Sequence, residues 1–373
     1  MESCDAVVVG GGPAGSSCAA VLARAGFDVI VLDKSDFPRD KVCAGWITPQ
    51  VVETLQIDLD DYRHTRTLQP INAFVTGLAR RPAAIVRYDH IVSYGIRRYE
   101  FDEYLLRRCR ARLKLGEPLR TLERQRDRWL INGSIEASFV VGAGGHFCPV
   151  AKFLGANVGR DERAIAAQEI EFEMDASQAR QCGVEPSTPE LYFCDDLKGY
   201  AWCFRKGNYL NIGLGREDNH GLAEALKSFC AGLTAQGKIP AVPPARFKGH
   251  AYLLSTQSQR ALVDDGVLLA GDAVGLAYPQ SGEGILPAIE SGILAARTAI
   301  AANRNYSRDQ LGIYESRLRE RFGARNSSAV VMAPSRIRMA LARSLLQTRW
   351  FTQHVVLNRW FLHARQRPLA VGA

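Results

Sequence analysis

Residues 7–46 read VVVGGGPAGSSCAAVLARAGFDVIVLDKSDFPRDKVCAGW. Asp5–Val9 reads as a short apolar strand. Gly10, Gly12 and Gly15 follow in G-x-G-x-x-G spacing, Ala14–Ala25 carries a helical apolar face, and Val29–Leu32 is a second strand ending at Asp33. The glycines therefore fall between strand and helix, the context a dinucleotide cradle requires. Gly10 permits the tight turn. Gly12 lets a pyrophosphate approach the helix start, where Pro13, which has no N–H, is followed by Ala14 and its free backbone N–H. Gly15 allows close packing of helix on strand. Asp33, followed by Lys34, is placed to accept ribose hydroxyls. This motif alone does not separate FAD from NAD.

A second stretch does. Residues 266–302 read GVLLAGDAVGLAYPQSGEGILPAIESGILAARTAIAA, a buried-looking strand, a Gly/Pro-rich loop and a helix from about Ile285. Asp272 at the strand end can hold a polyol hydroxyl. Gly282 and Gly284 leave bare N–H groups at a helix start, which suits the flavin edge where negative charge collects on reduction.

Gly271-Asp272-Ala273, with Pro279 and Gly282-Glu283-Gly284-Ile285, resembles the ribityl- and flavin-contacting motif of FAD-dependent oxidoreductases of the p-hydroxybenzoate hydroxylase fold. The stretch from Arg98 through Phe101 and Asp102 to Leu105 resembles their R-x-x-F-D-x-x-L helix start, whose Arg lies near the cofactor. FPRDKVCAGWITP (37–49) and GYAWCFRKGNYLNIGLG (199–215) are similar to the F-P-R-D-K-x-C-x-G loop and G-Y-x-W-x-F-P-K-G hairpin of the geranylgeranyl reductase family. The chain departs from these patterns at Gly144, where an Asp is usual, at Cys148 for Ser, at Arg205 for Pro and at Ala44 for Gly.

The resemblance implies an α/β fold with a Rossmann-type FAD-binding domain, an interleaved antiparallel substrate domain and a helical C-terminal region. It implies FAD contacts from Arg39, Lys41, Val42, Cys43 and Ala44, from Arg98, from Gly142, Ala143 and Gly144, and from Ile285. Trp46, Tyr200, Trp202 and Pro279 would line the substrate pocket, with Cys43 and Trp202 at the chemistry. Cys43 can serve as a proton donor or nucleophile beside a cation or flavin, or fill the loop as a small residue. Arg39 and Lys41 stabilise a phosphate or the reduced flavin on one reading and are solvated on the other.

The flavin segments are far apart, so residues 1–55, 95–160 and 250–305 are expected to assemble one domain, and 56–94 and 161–249 a second. AIAAQEIEFEMD (164–175) and YLNIGLG (209–215) alternate with the period of strands, and RKGN between YAWCF and YLNIGLG reads as a hairpin turn. Residues 306–373 form the helical region. Residues 304–367 are Arg-rich and hold only three acids, Asp309, Glu315 and Glu320. Apolar residues, among them Val330, Val331, Met332, Ile337, Leu341, Trp350 and Phe361, recur there at near-helical intervals. A helical cap over the substrate domain and a basic amphipathic surface that meets anionic lipid are both open readings.

Net charge is +8, with 47% hydrophobic and 23% charged residues, an ordinary balance for a globular chain. The nine cysteines lack C-x-x-C or zinc spacing, so free thiols in a reducing, cytoplasmic setting and no metal site are expected. His146 is read as a loop histidine with a satisfied backbone partner or as a phosphate contact. No run of 18 uncharged apolar residues occurs. No second G-x-G-x-x-G appears, so electrons would come from a transient NAD(P)H or a protein donor; nucleic acid is not an expected partner.

Three functions remain at this stage. One is hydride transfer at flavin N5 to or from a carbon–carbon bond of an apolar, isoprenoid-type substrate. Another is aromatic hydroxylation through a flavin C4a-hydroperoxide. The third is flavin binding without catalysis.

Overall fold

Five strands, Val267–Leu269, Ile135–Gly142, Glu2–Val9, Val29–Leu32 and Arg112–Lys114, lie side by side in parallel, in that order. Their near-continuous apolar sequence reflects burial on both faces: Val7, Val8, Ile30, Val31, Val140, Val141 and Leu268 are fully buried. Val263–Asp264 and the hairpin Leu122–Gln125/Arg128–Ile131 complete an eight-stranded sheet. The computed structural model describes residues 1–79, 81, 83–157, 162–218, 221–241, 246–324 and 336–369.

Helices Pro13–Arg24 and Ile285–Ala301 pack together on this sheet. Their approach depends on Gly292, where an added Cβ would lie 2.1 Å from Ala14 O. The two long-range flavin-type segments are thus locked to each other backbone to backbone.

Seven strands form the second sheet, in the order Lys248–Tyr252, Ile165–Glu173, Tyr209–Arg216, Gly199–Lys206, Glu190–Phe193, Ala73–Leu78 and Ala84–Arg87. All its pairs are antiparallel except that between Glu190–Phe193 and Ala73–Leu78. A small third sheet, Trp46–Ile47, Ser93–Ile96 and Leu68–Ile71, lies between the two in sequence and carries the chain out of the Cys43 loop.

The C-terminal region, read from the sequence as one unit, divides. Helices Arg308–Leu311 and Ile313–Phe322 join the first core through Leu311, Tyr314 and Leu318. Tyr314 Oη donates to Leu269 O (2.8 Å) and Ser291 O (3.2 Å). The segment Thr352–Phe361 is a wide helical turn that buries Val356, Leu357 and Phe361 against the second sheet. Ile337, Leu341 and Trp350 stay largely exposed. Val330, Val331 and Met332 lie outside the described residues.

Candidate functional site

A cleft of about 610 Å³ lies between the two sheets. It is lined by Gly10, Gly12, Pro13, Ala14, Asp33 and Lys34, and also by Asp272, Gly282, Gly284 and Ile285. The two glycine-rich segments therefore open into the same space.

At the first segment Gly10 has φ +115, and a Cβ there would sit 2.4 Å from Ala143 O. The bare backbone brings the Ala143–Gly144 turn against the glycine loop. Gly12 caps helix Pro13–Arg24 without any side-chain hydrogen bond, and no acid occupies the first turn. The positive end of that helix faces the cleft uncompensated, as a pyrophosphate requires. Asp33 accepts from Gly11 N (2.7 Å) and Ser35 N (2.9 Å), which fixes the carboxylate at the cleft wall. These features fit the ADP half of FAD.

A charged wall continues from there. Arg98 grips Asp102 through two hydrogen bonds of 2.7 and 2.8 Å, and Arg39 approaches the same carboxylate at 3.3 Å. Arg98 also meets the side chain of Cys43. Lys41 Nζ lies 2.7 Å from His250 Nε2, which lies 3.6 Å from Asp272 Oδ2. Burial pushes Lys41 down to about 8, and burial also lowers His250. Burial works to raise Asp272, but the His250 contact and the Lys41 charge outweigh it and hold its carboxyl below the usual range.

The remaining wall is aromatic. Trp46, Tyr200, Trp202 and Phe361 line the cleft. Trp46 stacks on Phe361 with centroids 5.5 Å apart, and Tyr200 meets Phe361 edge-on at 5.3 Å. Tyr200 and Trp202 share one face of strand Gly199–Lys206, while Ala201 and Cys203 face the other core. Trp202 lies over Gly213, where a Cβ would come within 2.1 Å of the indole. Tyr200 Oη donates to Ser281 O at 2.5 Å, tying the aromatic wall to the Gly282–Gly284 turn.

Val42, Cys43, Ala44, Arg39, Lys41, Arg98, Ala143 and Gly144 also line the cleft. Three expected positions lie off it. Gly15 sits under the glycine loop, its Cβ position 1.8 Å from Gly10 O, and acts through packing. Gly142 is wedged against Leu269 and Val150. Pro279 was expected in the substrate pocket, but it stands at the tip of a turn closed by Gly282 N→Tyr278 O (2.8 Å) and Tyr278 N→Glu283 O (3.0 Å). That turn presents Ser281 and Gly282 to the cleft instead. His146 is buried with its partner in the Arg260 side chain (3.3 Å) rather than a backbone group, and it too lines the cleft.

Sequence reasoning missed His250, Glu283 and Phe361. His250 comes from an edge strand with no motif around it. Phe361 was visible only as one member of an apolar helical pattern. Glu283 stood inside a recognised motif, yet its state depends on burial, which pushes its carboxyl up to about 7. Among the described residues no cluster suits a metal ion, and no helix is long and apolar enough to cross a membrane.

Beneath the cleft, burial pushes Glu169 up to about 7, opposed by the Cys43 N–H and Lys206. Its folded value is above the usual 4.5, so the stability it contributes is complete below pH 4.5 and is lost as pH rises toward 7. Urea unfolding at pH 5 and 7.5 checks this. Wild type is expected to lose on the order of 2 kcal/mol more than Glu169→Gln across that interval. Equal losses would show that Glu169 is ionised throughout.

The parallel sheet, the glycine cradle and the cleft between the two sheets define a flavin-type oxidoreductase. The chain belongs to the FAD binding domain family, whose model matches residues 123–326, and a FAD dependent oxidoreductase model matches residues 5–151. It is 27% identical over 340 residues to the digeranylgeranylglycerophospholipid reductase of Methanocaldococcus jannaschii, covering 85% of this chain and 82% of the relative. It is 29% identical over 348 residues to a menaquinone reductase of Mycobacterium tuberculosis, covering 86% and 81%. A geranylgeranyl bacteriochlorophyll reductase-like structure from Thermoplasma acidophilum superposes with TM-score 0.74 at 21% identity, covering 93% of this chain and 88% of that one. A probable FAD-dependent monooxygenase from Pseudomonas aeruginosa gives 0.67 at 19%, covering 95% and 100%. The protein is a FAD-dependent oxidoreductase related to the geranylgeranyl reductases.

Proposed function

We propose that the protein reduces a carbon–carbon double bond in an apolar isoprenoid chain. The observation that carries this reading is the aromatic wall of Trp46, Tyr200, Trp202 and Phe361, which shares one cleft with Cys43 and the Gly282–Gly284 turn. The names of the reductases it resembles, for a digeranylgeranyl glycerophospholipid and for menaquinone, support a lipid-like substrate.

Bound and reduced FAD supplies a hydride. Gly10, Gly12 and Asp33 would hold its ADP half, and Asp272 and the Gly282–Gly284 amides its ribityl and ring portions. The aromatic wall orients the chain and excludes water from the reacting bond. Cys43 Sγ gives its proton to the carbon that does not receive hydride, and water reprotonates the thiolate. The reductant is a transient donor, NAD(P)H or a protein. The test is anaerobic mixing of photoreduced holoenzyme with geranylgeranyl diphosphate and with a geranylgeranylated glycerolipid. Reoxidation with formation of the saturated chain is expected; no reoxidation by either overturns the reading. Substrate-dependent O2 consumption with a hydroxylated aromatic product would favour the monooxygenase alternative instead.

We also propose that the exposed Ile337, Leu341 and Trp350, flanked by Arg349 and Arg359, rest on an anionic lipid surface and that the substrate is drawn from it. Co-sedimentation with vesicles containing anionic lipid, lost in Trp350→Glu/Leu341→Glu, is expected. Equal binding of wild type and variant overturns this docking mode.

A further inference from the structure

Cys43 sits in a loop of the first domain, yet the groups that hold its backbone come from the second sheet. Asn211 Nδ2 donates to Cys43 O at 3.2 Å. The Cys43 backbone N–H works against the burial that raises the Glu169 carboxyl. Lys206 Nζ donates to Ala44 O and Ile96 O, both at 2.9 Å, and pairs with Glu171 at 2.6 Å. On its other side, Asn211 Oδ1 accepts from Trp202 Nε1 at 2.7 Å. Asn211 Nδ2 also lies 3.3 Å from Glu169 and from Glu171.

Strand register makes this arrangement. Asn211 is paired with Glu171 on one neighbour and with Phe204 on the other; Gly213 is paired with Glu169 and Trp202. Alternation then sets Glu169, Glu171, Asn211, Gly213, Trp202 and Lys206 on one face, under the Cys43 loop. Asn211 and Lys206 are each only 1% exposed. Buried ionic groups of this kind are weak sources of stability, and an apolar layer of equal volume would serve packing as well. Their distinguishing property is that they bond the reacting loop.

We propose that Asn211 is a positioning residue: it couples Trp202 to the Cys43 backbone and so sets the thiol against the substrate wall. Its catalytic consequence rests on Cys43 being the proton-bearing group, but its structural consequence does not. Lys206 acts with it by fixing the next carbonyl in the loop.

Two variants separate the bonds. Asn211→Leu removes both. Asn211→Asp keeps the acceptor for Trp202, loses the donor to Cys43 O and sets a carboxyl beside Glu169 and Glu171. Three readouts on FAD-loaded protein apply: the alkylation rate of Cys43 by iodoacetamide, followed on its peptide by mass spectrometry; the near-ultraviolet circular dichroism of the buried indole; and kcat and KM for the isoprenoid substrate. Both variants are expected to alkylate at Cys43 about tenfold faster, the effect of losing one or two buried hydrogen bonds. The indole signal is expected to change in Asn211→Leu and persist in Asn211→Asp. A fall in kcat with KM held is expected in both. Wild-type alkylation rates in both variants would overturn the proposal. Should Asn211→Leu not fold, Asn211→Asp and Lys206→Met carry the same test. If wild type reduces no isoprenoid, the substrate reading fails while the alkylation difference still decides Asn211.

Discussion

Gly12→Asp is expected to abolish FAD binding in a chain that still folds. Gly12 has φ −73 and ψ −175, which any residue adopts, and a Cβ there meets only Arg39 Nη2 at 3.4 Å. The added carboxylate therefore fits. It falls at the uncapped start of helix Pro13–Arg24, competes for Arg39 and repels the cofactor phosphates. Affinity is expected to drop at least 100-fold, about 2.7 kcal/mol. Gly15→Val makes the contrast, because its Cβ would lie 1.8 Å from Gly10 O and the helix cannot stay on the strand. Flavin fluorescence titration and far-ultraviolet circular dichroism distinguish the two: no binding with native signal for the first, a lost native signal for the second. Wild-type affinity in folded Gly12→Asp would remove the phosphates from this helix start.

Cys43→Ala is expected to lower the rate of substrate-driven reoxidation by about 10² or more, the usual worth of a positioned general acid. FAD affinity should change little, since Cys43 is one of many groups along the cleft. Cys43 lines the cleft and is only partly buried, whereas seven of the nine cysteines are buried, Cys194 being the other exception. Cys43→Ser, which keeps a proton on a poorer acid, should fall between the two. Stopped-flow reoxidation of photoreduced enzyme measures this. An alanine variant as fast as wild type would assign the proton to another group; the cleft-lining Glu283, whose carboxyl burial raises to about 7, is then the candidate.

The cradle was legible because its requirements are local. Gly10, Gly12 and Asp33 act within one strand–helix–strand unit, and the Asp272–Gly284 loop within another. That the two units open into one cleft followed from the resemblance, and the packing of Gly292 on Ala14 O is its physical basis. What depends on register between distant strands was not legible. Asn211 under Cys43 and His250 beside Lys41 each join residues that no motif links. Pro279 differs for the converse reason: it belongs to a flavin motif, but the turn that carries it presents Ser281 and Gly282 to the cleft. The tail pattern announced helices without saying which core each would join, and Phe361 reached the cleft by that route.

The most direct measurement is a crystal structure of the chain with FAD. Density is expected with the pyrophosphate on the Gly12 amides and the isoalloxazine between Cys43 and the Gly282–Gly284 turn. An isoalloxazine ordered outside the cleft, or a cofactor whose ADP half avoids the Gly12 turn, would contradict the assignment of the site.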